Sequence, residues 1–261
     1  MKVALLTLSK PGCRIIEKLL PAFPEASVFV HEKVPEPPRV AEVFEQILPK
    51  TRAIFPHFEG LVFVAPCGVV VRALSGVVGH KKTDPAVVVV DAGGRHAISL
   101  LSGHEGGANS LAVKVANVIH AEPVISTTTE ATKDHIIGIG CRKHTSSKAI
   151  VEAVLDAINK AGLDLEQIRF MASVDLKKKE PGLLQASKEL GLPFRVIASE
   201  EIRTFAGAFD ASEFVMNNVN LPAVAEPCAL LAGRRTKLLL KKTIYPGITI
   251  AIAKENFMWS E

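Results

Sequence analysis

The sequence predicts an α/β protein of two α/β domains, the first a largely parallel sheet with flanking helices and the second a mixed α/β sandwich. Three observations carry this. Short apolar, β-branched runs recur near 3–8, 28–31, 61–65, 86–91, 97–101 and 123–127, with helical periodicity between several of them. The run Ala86-Val87-Val88-Val89-Val90-Asp91 is apolar without alternation, as expected of a central strand buried on both faces. A second series of strands and helices starts only after a polar stretch at 127–134, and 261 residues suffice for two modest domains. The expected domains are 1–130 and 134–261.

In order along the chain, Met1-Lys2-Val3-Ala4-Leu5-Leu6 runs into Ser9, Lys10 and Pro11 without a small-residue cleavage site, and reads as a first strand rather than a signal peptide. From Ala108, apolar residues at Leu111, Ala112, Val115, Ala116 and Ile119 mark a helix packing one face on a sheet, entered from the loop 103–107. The second half reads as a strand over 135–140, a helix over 146–160, a strand near 168–173 and helices over 182–190 and near 222–232. Strands at 237–241 and 248–253 close it. No internal repeat is visible.

Hydrophobic residues make up 48% and charged residues 22%, which excludes disordered and collagen-like chains. Thirty-one Lys+Arg against 27 Asp+Glu give +4, far from the dense basic face that nucleic acid needs, and one Tyr, one Trp and 12 Phe are few for base stacking. The longest apolar run, around 85–90, is well short of the ~20 residues that span a bilayer, so neither membrane nor nucleic acid is an expected partner and the cytoplasm is the expected location. Cys13, Cys67, Cys141 and Cys228 lie far apart and never as CxxC. They read as packing residues or thiols beside a site, with no protein-bound metal expected.

The densest polar cluster is Leu101-Ser102-Gly103-His104-Glu105-Gly106-Gly107-Ala108-Asn109, between a strand and a helix. Its glycines admit a ligand close to the backbone, the first helical turn offers N–H groups to an anion, and His104 and Glu105 sit where a carboxylate or ester oxygen would lie. The plainer reading is a tight turn capped by Ser102. A second cluster runs from Pro66-Cys67-Gly68 through Arg72 to Lys81 and Asp84. Here Arg72 reaches toward the crevice at the carboxyl ends of the strands, and Lys81 with Asp84 reads alternatively as a surface ion pair. Asp91, Arg95 and His96 flank a Gly93-Gly94 hairpin turn.

Gly138-Ile139-Gly140-Cys141-Arg142-Lys143 lacks the third glycine of a dinucleotide fingerprint, so a carboxylate or phosphate site from helix N–H groups, Arg142 and Ser146 fits better than NAD. Cys141 reads as a structural thiol, with nothing in sequence to serve as its base. The Lys177-Lys178-Lys179 run reads as a solvated helix start, with Ser173 and Lys177 as candidate anion ligands.

Together, the stretch from Arg72 through Lys81, Asp84 and Asp91 to Asn109 closely resembles the N-terminal region of the cobalt-precorrin-5A hydrolase (CbiG) family of anaerobic cobalamin biosynthesis. Gly138-Ile-Gly-Cys-Arg-Lys143, Ala172-Ser-Val-Asp-Leu-Lys177, Glu180-Pro-Gly-Leu and Val224-Ala-Glu-Pro-Cys-Ala229 resemble its C-terminal region. The resemblance implies a hydrolase that opens a δ-lactone and releases acetaldehyde, acting on a cobalt-corrinoid substrate that carries its own metal, with no further cofactor. A homodimer and transient contact with other enzymes of the pathway are compatible with it. The chain departs from the family pattern in three places. The usual middle segment is missing after Thr127, Ala92 stands where an acid is common, and His144 stands where glycine is common.

A substrate rich in acetate and propionate groups needs dispersed anion sites, for which Arg72, Lys81, Arg95, Arg142, Ser146, Ser173 and Lys177 are candidates beside Ser102, Gly103, Gly106, Gly107, Asn109 and Gly140. The expected chemistry has His104 as base, Glu105 or Asp91 orienting it, and the amides of Gly106 and Gly107 receiving an oxyanion. The alternative is a corrinoid carrier without hydrolytic activity.

Overall fold

The computed structural model describes residues 1–205, 221 and 223–257. It divides into two compact units, Met1–Thr127 and Thr128–Glu261.

In the first unit the strands are β1 (Val3–Thr7), β2 (Ser27–His31), β3 (Ala41–Phe44), β4 (Gly60–Val64), β5 (Ala86–Val90), β6 (His96–Leu101) and β7 (Glu122–Val124). The helices are α1 (Lys10–Leu19), α2 (Ile47–Ile54), α3 (Cys67–Ala73) and α4 (Ala108–Ile119). The sheet order is β3-β2-β1-β4-β5-β6-β7. The first five strands are mutually parallel, β6 is antiparallel to β5, and β7 is parallel to β6. Alternate residues feed two cores. Val3, Leu5, Val62, Val64, Val88 and Val90 pack with α1 and α4. Ala4, Leu6, Leu61, Phe63, Val87 and Val89 pack with α2 and α3. Every residue of β1, β4 and β5 is therefore buried, which is why these strands read as unbroken apolar runs. The short strand β3 and the helix α2 carry weak patterns and are additions to the sequence reading.

The second unit begins with the short helix α5 (Thr128–Ala131). It contains β8 (His135–Cys141), α6 (Ser147–Lys160), β9 (Ile168–Val174), α7 (Pro181–Glu189), β10 (Phe194–Ile197), α8 (Ser199–Thr204), α9 (Ala225–Leu231), β11 (Lys237–Tyr245) and β12 (Ile248–Lys254). Pro222, where the sequence reading opened α9, lies outside the described residues. The sheet order is β10-β9-β8-β12-β11, with β8, β9 and β10 parallel and β12 antiparallel to both neighbours. Ile137, Ile139, Ile248, Ile250 and Ile252 pack with α6 and α7. Ala251 and Ala253 pack with Ala225 and Ala229 of α9. Isoleucine on one face and Gly or Ala on the other let α9 approach the sheet closely. A Cβ on Gly138 would lie 1.9 Å from the Ala225 carbonyl and 2.5 Å from the Ala229 amide.

Three buried carboxylates hold this unit's polar seams. Glu255 accepts both Arg169 Nη1 contacts, at 2.9 and 2.7 Å, and the Arg234 amide at 2.8 Å. Glu226 accepts the Lys242 amide at 2.9 Å, an N–H that the irregular β11–β12 register between Leu240 and Thr243 takes out of the ladder. Glu180 accepts the His144 amide at 2.7 Å.

Candidate functional site

Antiparallel pairing of β5 with β6 sets the geometry of the first unit. Val87 lies beside Leu101 and Val90 beside Ala97, so the loop 102–107 that follows β6 sits at the amino end of β5. Asp91 sits at the other end, one strand length away, roughly 15 Å at ~3.3 Å per residue. The sequence-predicted residues consequently separate into two groups.

At the carboxyl ends of the parallel strands lie Arg72, Asp91 and Arg95. Arg72 is exposed, and its guanidinium folds back to donate to the Gly68 carbonyl at 3.0 Å. Asp91 accepts the amides of Gly93, Arg95 and His96 at 3.1, 3.0 and 2.7 Å. Partial burial raises its pKa, but these amides and His96 outweigh it and hold the carboxyl below its ordinary range. Asp91 thus closes the Gly93-Gly94 turn, and its assignment as a partner orienting His104 is corrected: the register puts the two at opposite ends of the sheet.

At the amino end of β5 are Lys81 and the loop 102–107, which leads into α4. Lys81 pairs with Glu105 at 2.7 Å rather than with Asp84, whose carboxylate accepts the Gly79 amide at 2.9 Å. Lys81 holds Glu105 below the ordinary carboxylate range, helped by the residue's own amide and opposed by slight desolvation. Glu105 is therefore engaged by a lysine and does not hydrogen-bond His104, which is exposed and makes no hydrogen bond among the described residues.

The start of α4 is built differently from a serine-capped turn. The cap residue is Gly107, at φ 85°, without a side-chain cap. Backbone carbonyls of the loop take the first amides, Ala108 to Ser102 at 3.1 Å and Asn109 to Gly103 at 3.0 Å. Those two N–H groups are thereby withdrawn from any ligand, and the donors left over at this helix start among the described residues include the amides of Gly106, Gly107 and Ser110. The Ser102 hydroxyl is buried without a hydrogen-bond partner. Asn109 is a brace: its side-chain oxygen accepts from Ser99 at 2.8 Å and its nitrogen donates to Thr127 at 3.0 Å. Gly103 has no room for a side chain, since a Cβ would lie 2.6 Å from Thr127 Cγ2 and 2.9 Å from Asn109 Oδ1.

In the second unit, the four motif segments meet toward the carboxyl end of β8. Gly138 and Gly140 lie within the strand, not in a loop. Gly138 is filled by α9, and a Cβ on Gly140 would lie 2.7 Å from Thr249 Oγ1 and 3.4 Å from Val224 Cβ. A phosphate-cradling loop at 138–142 is thereby ruled out on geometry. Ser146 caps α6 by accepting the Ala149 amide at 3.3 Å, and Ser173, wholly buried, donates to the Ile139 carbonyl at 2.7 Å. Both are structural. Lys177 is 15% exposed in its side chain and pairs with Glu180 at 3.5 Å, so it is not a solvated helix start. Arg142 follows β8 and its amide donates to Gly247 at 2.9 Å. Burial pushes the Cys141 thiol up, with Glu180 adding to the shift and Lys177 and Thr145 opposing it, so it stays protonated. Cys13 and Cys228 are also raised by burial. Among the described residues no group of three or more His, Cys, Asp or Glu side chains is placed to hold a metal ion, and no helix is long and apolar enough to cross a membrane.

Comparison with known proteins bears on both units. Residues 50–130 match the family model described as "Cobalamin synthesis G N-terminal", and residues 135–253 match "Cobalamin synthesis G C-terminus". A protein of Salmonella typhimurium strain LT2 named cobalt-precorrin-5A hydrolase is 26% identical, with 96% of this chain and 97% of that protein covered. Its alignment runs over 343 positions against 261 residues here, so at least 82 positions have no counterpart in this chain. A protein of the same name from Priestia megaterium is 23% identical, with 96% and 94% covered. The crystal structure of a cobalamin biosynthesis protein G homologue from Sulfolobus solfataricus is 22% identical and covers 98% of this chain and 97% of that chain, at a TM-score of 0.40. With both halves matched in order, the chain belongs to the cobalamin synthesis G (CbiG) family.

Proposed function

We propose that this protein is a cobalt-precorrin-5A hydrolase. It opens the substrate's δ-lactone and releases the C20 meso carbon with its methyl group as acetaldehyde, leaving cobalt-precorrin-5B. The observation that carries the reading is end-to-end similarity to two proteins of that name. The loop 102–107 supports it, because an exposed imidazole lies beside two amides without acceptors at a helix start.

In this reading His104 takes a proton from water as the oxygen adds to the lactone carbonyl, and the amides of Gly106 and Gly107 receive the negative charge that develops on the carbonyl oxygen. The acyl C–O bond of the ring then breaks, giving a carboxylate and an alcohol. A positioned base supplies ~10²–10⁴-fold and an oxyanion donor ~10²–10³-fold. The C–C cleavage that expels acetaldehyde runs on the electronics of the opened macrocycle. Cobalt enters as part of the substrate, and no further cofactor is invoked. Asn109, Ser99 and Thr127 hold the loop from behind.

The test is anaerobic incubation of the purified protein with cobalt-precorrin-5A, following acetaldehyde and the tetrapyrrole mass. Acetaldehyde with the matching mass loss is expected. Substrate bound but unchanged would replace this reading with a corrinoid carrier, which the absence of at least 82 aligned positions favours. Failure to bind would remove both.

A further inference from the structure

Ser102 combines two unfavourable conditions in one residue. Its backbone lies in the left-handed region at φ 58°, and its hydroxyl, in a residue left 6% exposed, has no hydrogen-bond partner among the described residues. A non-glycine residue at positive φ and an unpaired buried hydroxyl both cost stability, and the two coincide at the mouth of a twelve-residue helix. Gly106 packs directly against Ser102: a Cβ on that glycine would lie 2.3 Å from Ser102 Cβ. The residue before it, Glu105, has its carboxylate on Lys81 at 2.7 Å. The Ser102 hydroxyl, the amides of Gly106 and Gly107, the positive end of α4 and the Lys81 ammonium all favour a negatively charged oxygen. The carboxylate that now occupies Lys81 is the protein's own.

We propose that Glu105 is an internal stand-in for a ligand carboxylate. An incoming carboxylate takes Lys81 from Glu105, the loop shifts about its flanking glycines, and the uncovered Ser102 hydroxyl donates to the ligand beside the two amides. The exchange is easy because the Lys81–Glu105 pair is solvent-screened, with side chains 65% and 36% exposed. An ammonium and a row of backbone donors select for charged oxygen rather than for one outline, so the ligand class is a polycarboxylate. This rests on the function proposed above only for the size of the molecule that bears the carboxylates. It gives Glu105 the role of competitor in place of an orienting partner for His104.

The experiment is a fluorescence titration with uroporphyrin III, a tetrapyrrole bearing acetate and propionate groups but neither lactone nor cobalt. Glu105→Gln is expected to bind about threefold more tightly than the native chain and Lys81→Met about threefold more weakly, the size of one exposed ion pair. In the double variant the Glu105→Gln gain disappears, because there is no Lys81 to release. Ser102→Gly, which takes the positive φ without strain, is expected to bind about fivefold more weakly for want of one hydrogen bond.

Unchanged or weaker binding by Glu105→Gln overturns the proposal. So does an equal gain with Lys81 removed, which would mark a general charge effect, or native affinity in Ser102→Gly. The probe undergoes no hydrolysis, so the two readings fail separately. Titrations as expected without acetaldehyde from cobalt-precorrin-5A would remove the hydrolase and keep the exchange. Turnover without a Glu105→Gln effect would do the reverse.

Discussion

Two glycine-rich segments, Gly103 to Gly107 in the first unit and Gly138 to Gly140 in the second, read alike in sequence as strand ends beside helices and are built for different ends. At Gly138 the missing side chain makes room for the α9 backbone, and at Gly140 for Thr249 and Val224. In the loop 102–107, Gly107 takes φ 85° and has only the tip of Met1 nearby, while its amide and that of Gly106 find no acceptor. One set of glycines therefore closes a core and the other leaves donors open. The difference is read position by position: at Gly103 and Gly106, as at Gly138, the freed space is taken by the protein's own atoms, and Gly107 is the loop glycine that leaves it open.

The contrast breaks most sharply at His104. If the loop is the reacting end of the molecule, His104→Ala lowers turnover by ~10²–10⁴-fold at unchanged folding stability. Full turnover in that variant would remove the base from this loop. Gly138→Ala is the counterpart. A methyl placed 1.9 Å from the Ala225 carbonyl forces α9 off the sheet, and a loss of about 3 kcal/mol is expected from urea denaturation, with activity per folded molecule retained. A change in KM without loss of stability would mean instead that Gly138 faces a ligand.

The parallel core was legible because strands buried on both faces must be continuously apolar, as 86–90 is, and because α4 shows its periodicity from Leu111 to Ile119. β3 was not, since its four residues, of which Glu42 and Val43 are exposed, are too few to carry a pattern. At the site, the composition of the loop could be read, but which residues face one another could not. Asp91 and His104 are 13 positions apart in a stretch that looks contiguous, and only the antiparallel pairing of β5 with β6 sends them to opposite ends. The structural role of Gly138 did leave a signal: Ile137, Ile139, Ile250 and Ile252 alternate with Gly138, Gly140, Ala251 and Ala253, the mark of a face prepared for close helix approach.

The units also differ in what acid does to them. In the second, His135 is 4% exposed, and its Nδ1 lies 2.6 Å from Asp134 Oδ1 without hydrogen-bond alignment. Burial lowers its pKa, outweighing Asp134, with Lys254 adding to the effect. The folded state therefore prefers neutral imidazole, while the unfolded chain gains a proton near pH ~6.5. The stability this residue supports is complete above that pH and is lost as the pH falls toward the lower folded value. Tyr245, the chain's single tyrosine, lies on β11 of this unit and reports its unfolding. The urea midpoint seen by Tyr245 should drop between pH 7.5 and pH 5.5, and His135→Gln should flatten that slope. An equal slope in the variant would move the acid sensitivity elsewhere.

The smallest effect tests the turn after β8, where this chain has His144 at the position at which the family resemblance expects glycine. His144 has φ 62°, a left-handed backbone that costs a side-chain-bearing residue ~1–2 kcal/mol, against ~0.5–1 kcal/mol of extra unfolded-state entropy for glycine. The turn needs this conformation, because it brings the His144 amide to Glu180 at 2.7 Å and so ties the end of β8 to the start of α7. His144→Gly leaves that hydrogen bond intact and should raise stability by about 0.5 kcal/mol. A loss of stability would mean that the imidazole itself contributes packing to this end of the unit, beyond the conformation of the turn.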